Sequence, residues 1–110
     1  MNVTRLVELN SELNRIVDVI IREYNPIKII LYGSIPSGKV NNWSDIDLVV
    51  IKNTDKSFYE RLEEVIKLTE PNVGTDIIVY TPDEAEQMKD DLFFQEEIIK
   101  KGKVIFSVPQ

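Results

Sequence analysis

At 110 residues the chain has the size of one domain, residues 1–110, large enough to bury a sizeable core. Its net charge of −6 speaks against broad nucleic-acid or membrane-surface binding, both of which select basic faces. Cysteine and histidine are both absent, which excludes a disulfide framework, zinc held by thiolate or imidazole, and any His-based triad. A metal, if used, would need oxygen ligands, which favours Mg²⁺ or Mn²⁺. Glu8 and Glu12 stand where a signal peptide would be basic and then apolar. No apolar run approaches the ~20 residues of a membrane span, so a cytoplasmic protein is expected.

Residues 4–24 place Leu6, Leu9, Leu13, Ile16, Val17, Ile20 and Tyr24 at spacings of three and four, the stripe of an amphipathic helix. Glu8, Glu12, Arg15 and Arg22 fall outside that stripe. Asn25-Pro26 ends the helix, because a residue before proline avoids helical geometry. Ile27 to Tyr32 is almost wholly apolar, as in a strand buried on both faces. From Gly33-Ser34 to Trp43 there is room for one or two helical turns, and a second strand follows from about Asp45 to Ile51. Ser57 with Glu60 is a capping box opening a helix whose inner stripe is Phe58, Leu62, Val65, Ile66 and Thr69. Pro71-Asn72 and Gly74 break the chain before a third strand, Thr75 to Tyr80. A second capping box, Thr81-Pro82-Asp83-Glu84, opens one or two short helices reaching Lys101. Gly102 stops them, and Lys103 to Ser107 reads as an edge strand. The order predicts an α/β sandwich around a small sheet. The short step between the first two strands predicts a mixed sheet.

Two features of this plan carry chemistry. Side chains two apart on a strand share a face, so Asp45 and Asp47 project together while Ile46, Leu48 and Val50 enter the core. Adjacent carboxylates repel unless a cation lies between them, so the pair is a candidate divalent-metal site. Upstream, Gly33 to Val40 nearly spells a Walker A loop. That loop, however, needs Ser or Thr where Val40 stands and a long helix afterwards. Gly33 instead permits close approach of an anionic group, with the amides of Ser34 and Ile35 and the Ser34 hydroxyl turned toward a phosphate.

Apolar strand, Gly33-Ser34, loop, Asp45-x-Asp47 on the next strand: this resembles the signature of the DNA polymerase β-type nucleotidyltransferases, and most of all the minimal nucleotidyltransferases. The resemblance covers about residues 27–82 and implies the polymerase β-like fold. It also implies a third carboxylate from a later strand, a place that Asp76 fits. Carried over, it makes Asp45, Asp47 and Asp76 catalytic and metal-binding and Gly33 and Ser34 nucleotide-binding, with two Mg²⁺ ions (or Mn²⁺) and ATP or another NTP as donor. It further implies a small helical partner of the HEPN type in a toxin–antitoxin-like pair. This chain would be the antitoxin, transferring AMP to a hydroxyl of that partner. One departure stands out. Family members usually carry arginines in the loop after Gly-Ser, whereas this loop reads Ile35-Pro36-Ser37, leaving Lys39 as the nearby cation and third expected nucleotide-binding residue.

Alternatives remain at this level. A degenerate copy would neutralise the partner by occlusion alone, which the missing arginines favour. Small-molecule nucleotidylation would call for an additional acceptor domain. Asp45 and Asp76 also fit ordinary turn chemistry, and Lys39 a solvated loop lysine. Trp43 fits a cover for the core edge. Asp90-Asp91 and Glu96-Glu97 read as a solvated helical face, with Phe93-Phe94 sending one ring into the core and leaving the other as an anchor.

Overall fold

The computed structural model describes residues 2–109. Helix α1 (Val3–Glu23) leads into β1 (Lys28–Tyr32), a single turn α2 (Ser34–Ser37) and β2 (Ile46–Ile51). Helix α3 (Phe58–Thr69) crosses to β3 (Thr75–Tyr80). The chain then makes α4 (Pro82–Gln87), a 3₁₀ turn at Met88–Asp90 and a π-helical segment at Phe94–Lys100, and closes on β4 (Lys103–Ser107).

The sheet runs β3-β2-β1-β4. Strand β1 is antiparallel to both β2 and β4, and β2 is parallel to β3. The sheet is therefore mixed, as the short β1–β2 link demands, and the one parallel pair is the one joined through a helix. Both capping boxes form: Ser57 with Glu60 opens α3, and Thr81 with Glu84 opens α4 behind Pro82.

One face of the sheet takes Leu9, Leu13, Ile16 and Ile20 of α1 and Val65 of α3 against Ile29, Leu31, Leu48, Val50, Ile77 and Val79. The other face sets Ile30, Tyr32, Val49 and Ile51 against Phe94 and Ile98. Central strands buried on both sides explain the near-continuous apolar runs of β1 and β2. Each fully buried Leu, Ile or Val contributes about 1.5–3 kcal/mol, so the stripe of α1 alone anchors that helix firmly. Among the described residues no helix is long and apolar enough to cross a membrane.

Several expectations need correction. Glu12 is not on the solvent side of α1 but 8% exposed. The turn before β3 closes over it, and its oxygens accept from Arg15 at 2.7 and 2.9 Å and from the Asn72 amide. Phe58 stands outside the α3 stripe, 53% exposed, with its ring 6.5 Å from that of Tyr80. The inner position goes to Arg61, whose guanidinium is satisfied by the carbonyls of Lys56 and Val79 and the carboxylate of Glu84. Trp43 covers no core edge, since it is 87% exposed. The first two strands begin one residue later than expected, at Lys28 and Ile46, whereas the other two begin at Thr75 and Lys103 as expected. Of the paired phenylalanines, Phe94 is buried and Phe93 exposed.

Candidate active site

The carboxylates gather where three strands meet at one end of the sheet. Asp47 pairs in register with Tyr32 across the antiparallel ladder and with Asp76 across the parallel one. Alternation puts Asp45, Asp47 and Asp76 on the face that also carries Tyr32 and Val49. Further along this face Phe94 and Ile98 cover the strands. The apolar residues of β2 thus fix the side to which its carboxylates point.

Two glycines make the room. Gly33, with φ +82°, holds a conformation that L side chains avoid. A Cβ built there would overlap Asp47 Oδ2, so the turn and the carboxylate lie directly against one another. Gly74 does the same for Asp45, whose Oδ1 occupies the place of a missing side chain. Sequence reasoning took Gly33 as a phosphate approach and Gly74 only as a chain breaker. Their shared role as cradles for the two aspartates needed the cross-strand register.

Electrostatics marks the same spot. Burial first, then the charges of Asp76 and Asp45, push the Asp47 carboxyl up to about 6 from its ordinary 3.8. The Tyr32 hydroxyl is pushed up to about 12, again by burial first and then by Asp47 and Asp76. Asp45 lies at the rim with its side chain 48% exposed, 4.0 Å from the guanidinium of Arg5. Arg5 was invisible to local pattern, since it acts across forty positions of sequence. Lys39 is exposed and comes within ion-pair distance of none of the three carboxylates. Ser34 opens α2 beside Gly33, and its amide and that of Ile35 lie in the first turn, where no intrahelical acceptor is available.

Among the described residues no group of three or more carboxylates is gathered tightly enough to form a ready metal cluster. Asp47 lies by Asp76, while Asp45 is drawn toward Gly74 and Arg5. The donors nevertheless fit an oxygen-ligated divalent ion in kind. They are hard oxygens on one face, and one of the carboxyls, Asp47, is raised by burial first and then by the charges of Asp76 and Asp45. A cleft of about 470 Å³ lined by Tyr32, Phe58, Leu62, Ile66, Thr75 and Asp76 adjoins them. A larger hollow of about 870 Å³, between the start of β1, α4 and the π-helical segment, contains none of these carboxylates. Chemistry rather than size selects the smaller cleft.

The sequence profile of the family described as Polymerase beta, Nucleotidyltransferase matches residues 14–110. A crystal structure of a candidate nucleotidyltransferase from Sulfolobus solfataricus superposes with a TM-score of 0.67 at 15% identity, over 93% of this chain and 83% of that one. At that identity the likeness concerns the fold. No curated protein matches the chain significantly.

Proposed function

Because the chain belongs to the polymerase beta nucleotidyltransferase family, we propose that it transfers a nucleoside monophosphate from a bound triphosphate to a hydroxyl acceptor at the Asp45–Asp47–Asp76 face. The observation that carries this is the register of Asp47 beside both Asp76 and Tyr32, against the Gly33 turn. Asp45, Asp47 and Asp76 are the residues that would hold Mg²⁺. When bound, the metal neutralises the triphosphate and makes the acceptor hydroxyl easier to deprotonate.

The chain's own groups supply the rest. The Gly33-Ser34 turn receives the phosphates through backbone amides and the Ser34 hydroxyl. The acceptor oxygen forms its bond to the α-phosphorus as the bond to pyrophosphate breaks. Its proton passes to the Asp76 carboxylate, exposed at the mouth of the cleft. Tyr32 and Phe58 give that cleft an aromatic wall.

We take ATP as donor and a small helical protein of the HEPN type as acceptor, with this chain as the antitoxin partner in the cytoplasm, following the resemblance of the Gly33–Asp47 stretch. The exposed Leu92 and Phe93, the latter 6.3 Å edge-on from Tyr32, offer an apolar contact beside the site. A second reading, occlusion without catalysis, draws on the absence of arginine in Ile35-Pro36-Ser37.

One experiment separates them. Cell extract, Mg²⁺ and the protein are incubated with ATP labelled at the α- or γ-phosphate, with Asp47→Asn in parallel. Nucleotidyl transfer places α-label on a discrete protein, and this label is lost with the variant or with EDTA. Partner capture without label in any lane selects occlusion, and γ-label alone overturns both readings.

A further inference from the structure

The link between α2 and β2 has little structure of its own. From Lys39 to Asp45 it forms neither helix nor strand, yet it delivers Asp45 to the site. The first turn of α1 holds it. The Asn2 amide donates to the Val40 carbonyl at 3.2 Å, and the Asn2 side chain donates to Asn42. Arg5 donates twice to the Ser44 carbonyl, from Nε at 3.1 Å and from Nη2 at 2.8 Å. That same Nη2 is the group 4.0 Å from Asp45 Oδ1.

Several features separate this arrangement from an ordinary surface arginine. The Arg5 side chain is only 20% exposed. Ser44 is buried, and its hydroxyl accepts from the Asn41 amide, so the peptide that Arg5 grips belongs to a fixed turn. The Arg5–Glu8 pair on the helix surface would by itself contribute little. Two charge-assisted bonds to one carbonyl are of another order and need the planar fork that lysine lacks. Arg5 also precedes residue 14, where the family match begins.

We propose that Arg5 is a positioning residue: its fork fixes the Ser44–Asp45 peptide and so sets where the Asp45 carboxylate meets a divalent cation. This inference rests on the reading of Asp45 as a metal ligand. Outer partners of this kind, when removed, weaken metal affinity or activity by about 10- to 100-fold.

Arg5→Ala and Arg5→Lys test it by three readouts: Mn²⁺ titration of the metal-free protein by calorimetry, amide hydrogen exchange without metal, and transfer kinetics against Mg²⁺. Arg5→Ala should bind Mn²⁺ about tenfold or more weakly and raise the Mg²⁺ needed for half-maximal rate in proportion. Its kcat at saturating metal should change far less. Exchange should quicken at residues 41–46 and nowhere else in the sheet. Arg5→Lys, with charge but no fork, should recover only part of the loss. Unchanged exchange or unchanged Mn²⁺ affinity in a folded Arg5→Ala overturns the proposal, as does full recovery by lysine. Should Arg5→Ala fail to fold, Arg5→Lys carries the test. A several-fold weaker Mn²⁺ affinity with faster exchange at 41–46 then supports the proposal, and equality with wild type overturns it. A wild type that binds no Mn²⁺ defeats the metal reading instead, and the exchange arm still decides whether Arg5 fixes the peptide.

Discussion

Glu12 and Asp47 are both carboxylates withdrawn from water, and the protein treats them in opposite ways. Glu12, in the middle of α1, accepts from both arms of Arg15 and from the Asn72 amide, and these bonds hold it down to about 2. Asp47 is pushed up to about 6 by burial first and then by its neighbours Asp76 and Asp45. The first arrangement is complete within the chain and locks helix to turn. The second sets like charges together, with Arg5 reaching only Asp45 at 4.0 Å, an arrangement that costs stability and is common at binding sites. A saturated carboxylate is architecture, whereas an unsaturated cluster beside a cleft is a candidate site.

The widest separation between the two should appear in activity. Asp47→Asn is expected to reduce transfer of α-label by about three orders of magnitude, since a lost metal ligand removes several kcal/mol of transition-state stabilisation. Glu12→Gln should stay within a few-fold of wild type in the same assay. A Glu12→Gln protein that is folded yet inactive would break the distinction, because architecture and site would then be one.

Stability should reverse the ranking. Glu12→Gln leaves Arg15 without its ion pair and weakens the grip on Asn72, and a destabilisation of about 1–3 kcal/mol is expected by urea unfolding. Asp47→Asn removes a repelled charge and should leave the metal-free protein as stable as wild type or more so. Unfolding of Asp47→Asn would make the acidic cluster structural and remove the basis of the proposed site.

How far this contrast was legible in the sequence depends on the range of the contacts. Alternation along β2 was enough to send Asp45 and Asp47 to one face, and the spacing of apolar residues located every strand to within a residue or two. Side chains whose partners lie far along the chain were another matter. Glu12 meets Asn72 across sixty positions, and Arg5 meets Ser44 across thirty-nine. Helical periodicity assigns a charged residue to solvent unless a turn from elsewhere closes over it. The cation expected from proximity in sequence, Lys39, stays in solvent, and the one that reaches the site comes from the first turn of α1. Arg61 was hidden in the same way, a charge at a core position made tolerable by the Val79 carbonyl and Glu84.

The pH dependence of stability offers a finer separation. Asp47 holds its proton more tightly in the folded chain than its ordinary 3.8, so its protonated form favours folding. That contribution is complete below about 3.8 and is lost as pH rises through about 6. Metal-free protein should therefore gain up to about 1 kcal/mol between pH 7 and pH 5, after allowance for solvent screening of a half-buried group, a gain absent from Asp47→Asn. Glu12 works in the other window. Its contribution is present above 4.5 and disappears as pH falls toward 2. The difference between wild type and Glu12→Gln should accordingly shrink only below pH 4.5. Parallel wild-type and Asp47→Asn curves from pH 5 to 7 would show that Asp47 titrates normally and that the cluster is solvated.

The smallest effect concerns the two glycines of the turn that flank α2. Both have positive φ, +82° at Gly33 and +75° at Gly38, so an alanine at either carries backbone strain. At Gly38 nothing lies within 4 Å of the added methyl group, and the cost should end at about 1 kcal/mol of backbone strain. At Gly33 the methyl would overlap Asp47 Oδ2 and displace the carboxylate itself. Gly38→Ala should thus lower the melting temperature slightly and leave Mn²⁺ affinity as it was, while Gly33→Ala should weaken that affinity even in molecules that remain folded. Equal Mn²⁺ affinities in the two variants would mean that the turn shapes only the backbone and that Asp47 owes nothing to the space Gly33 leaves.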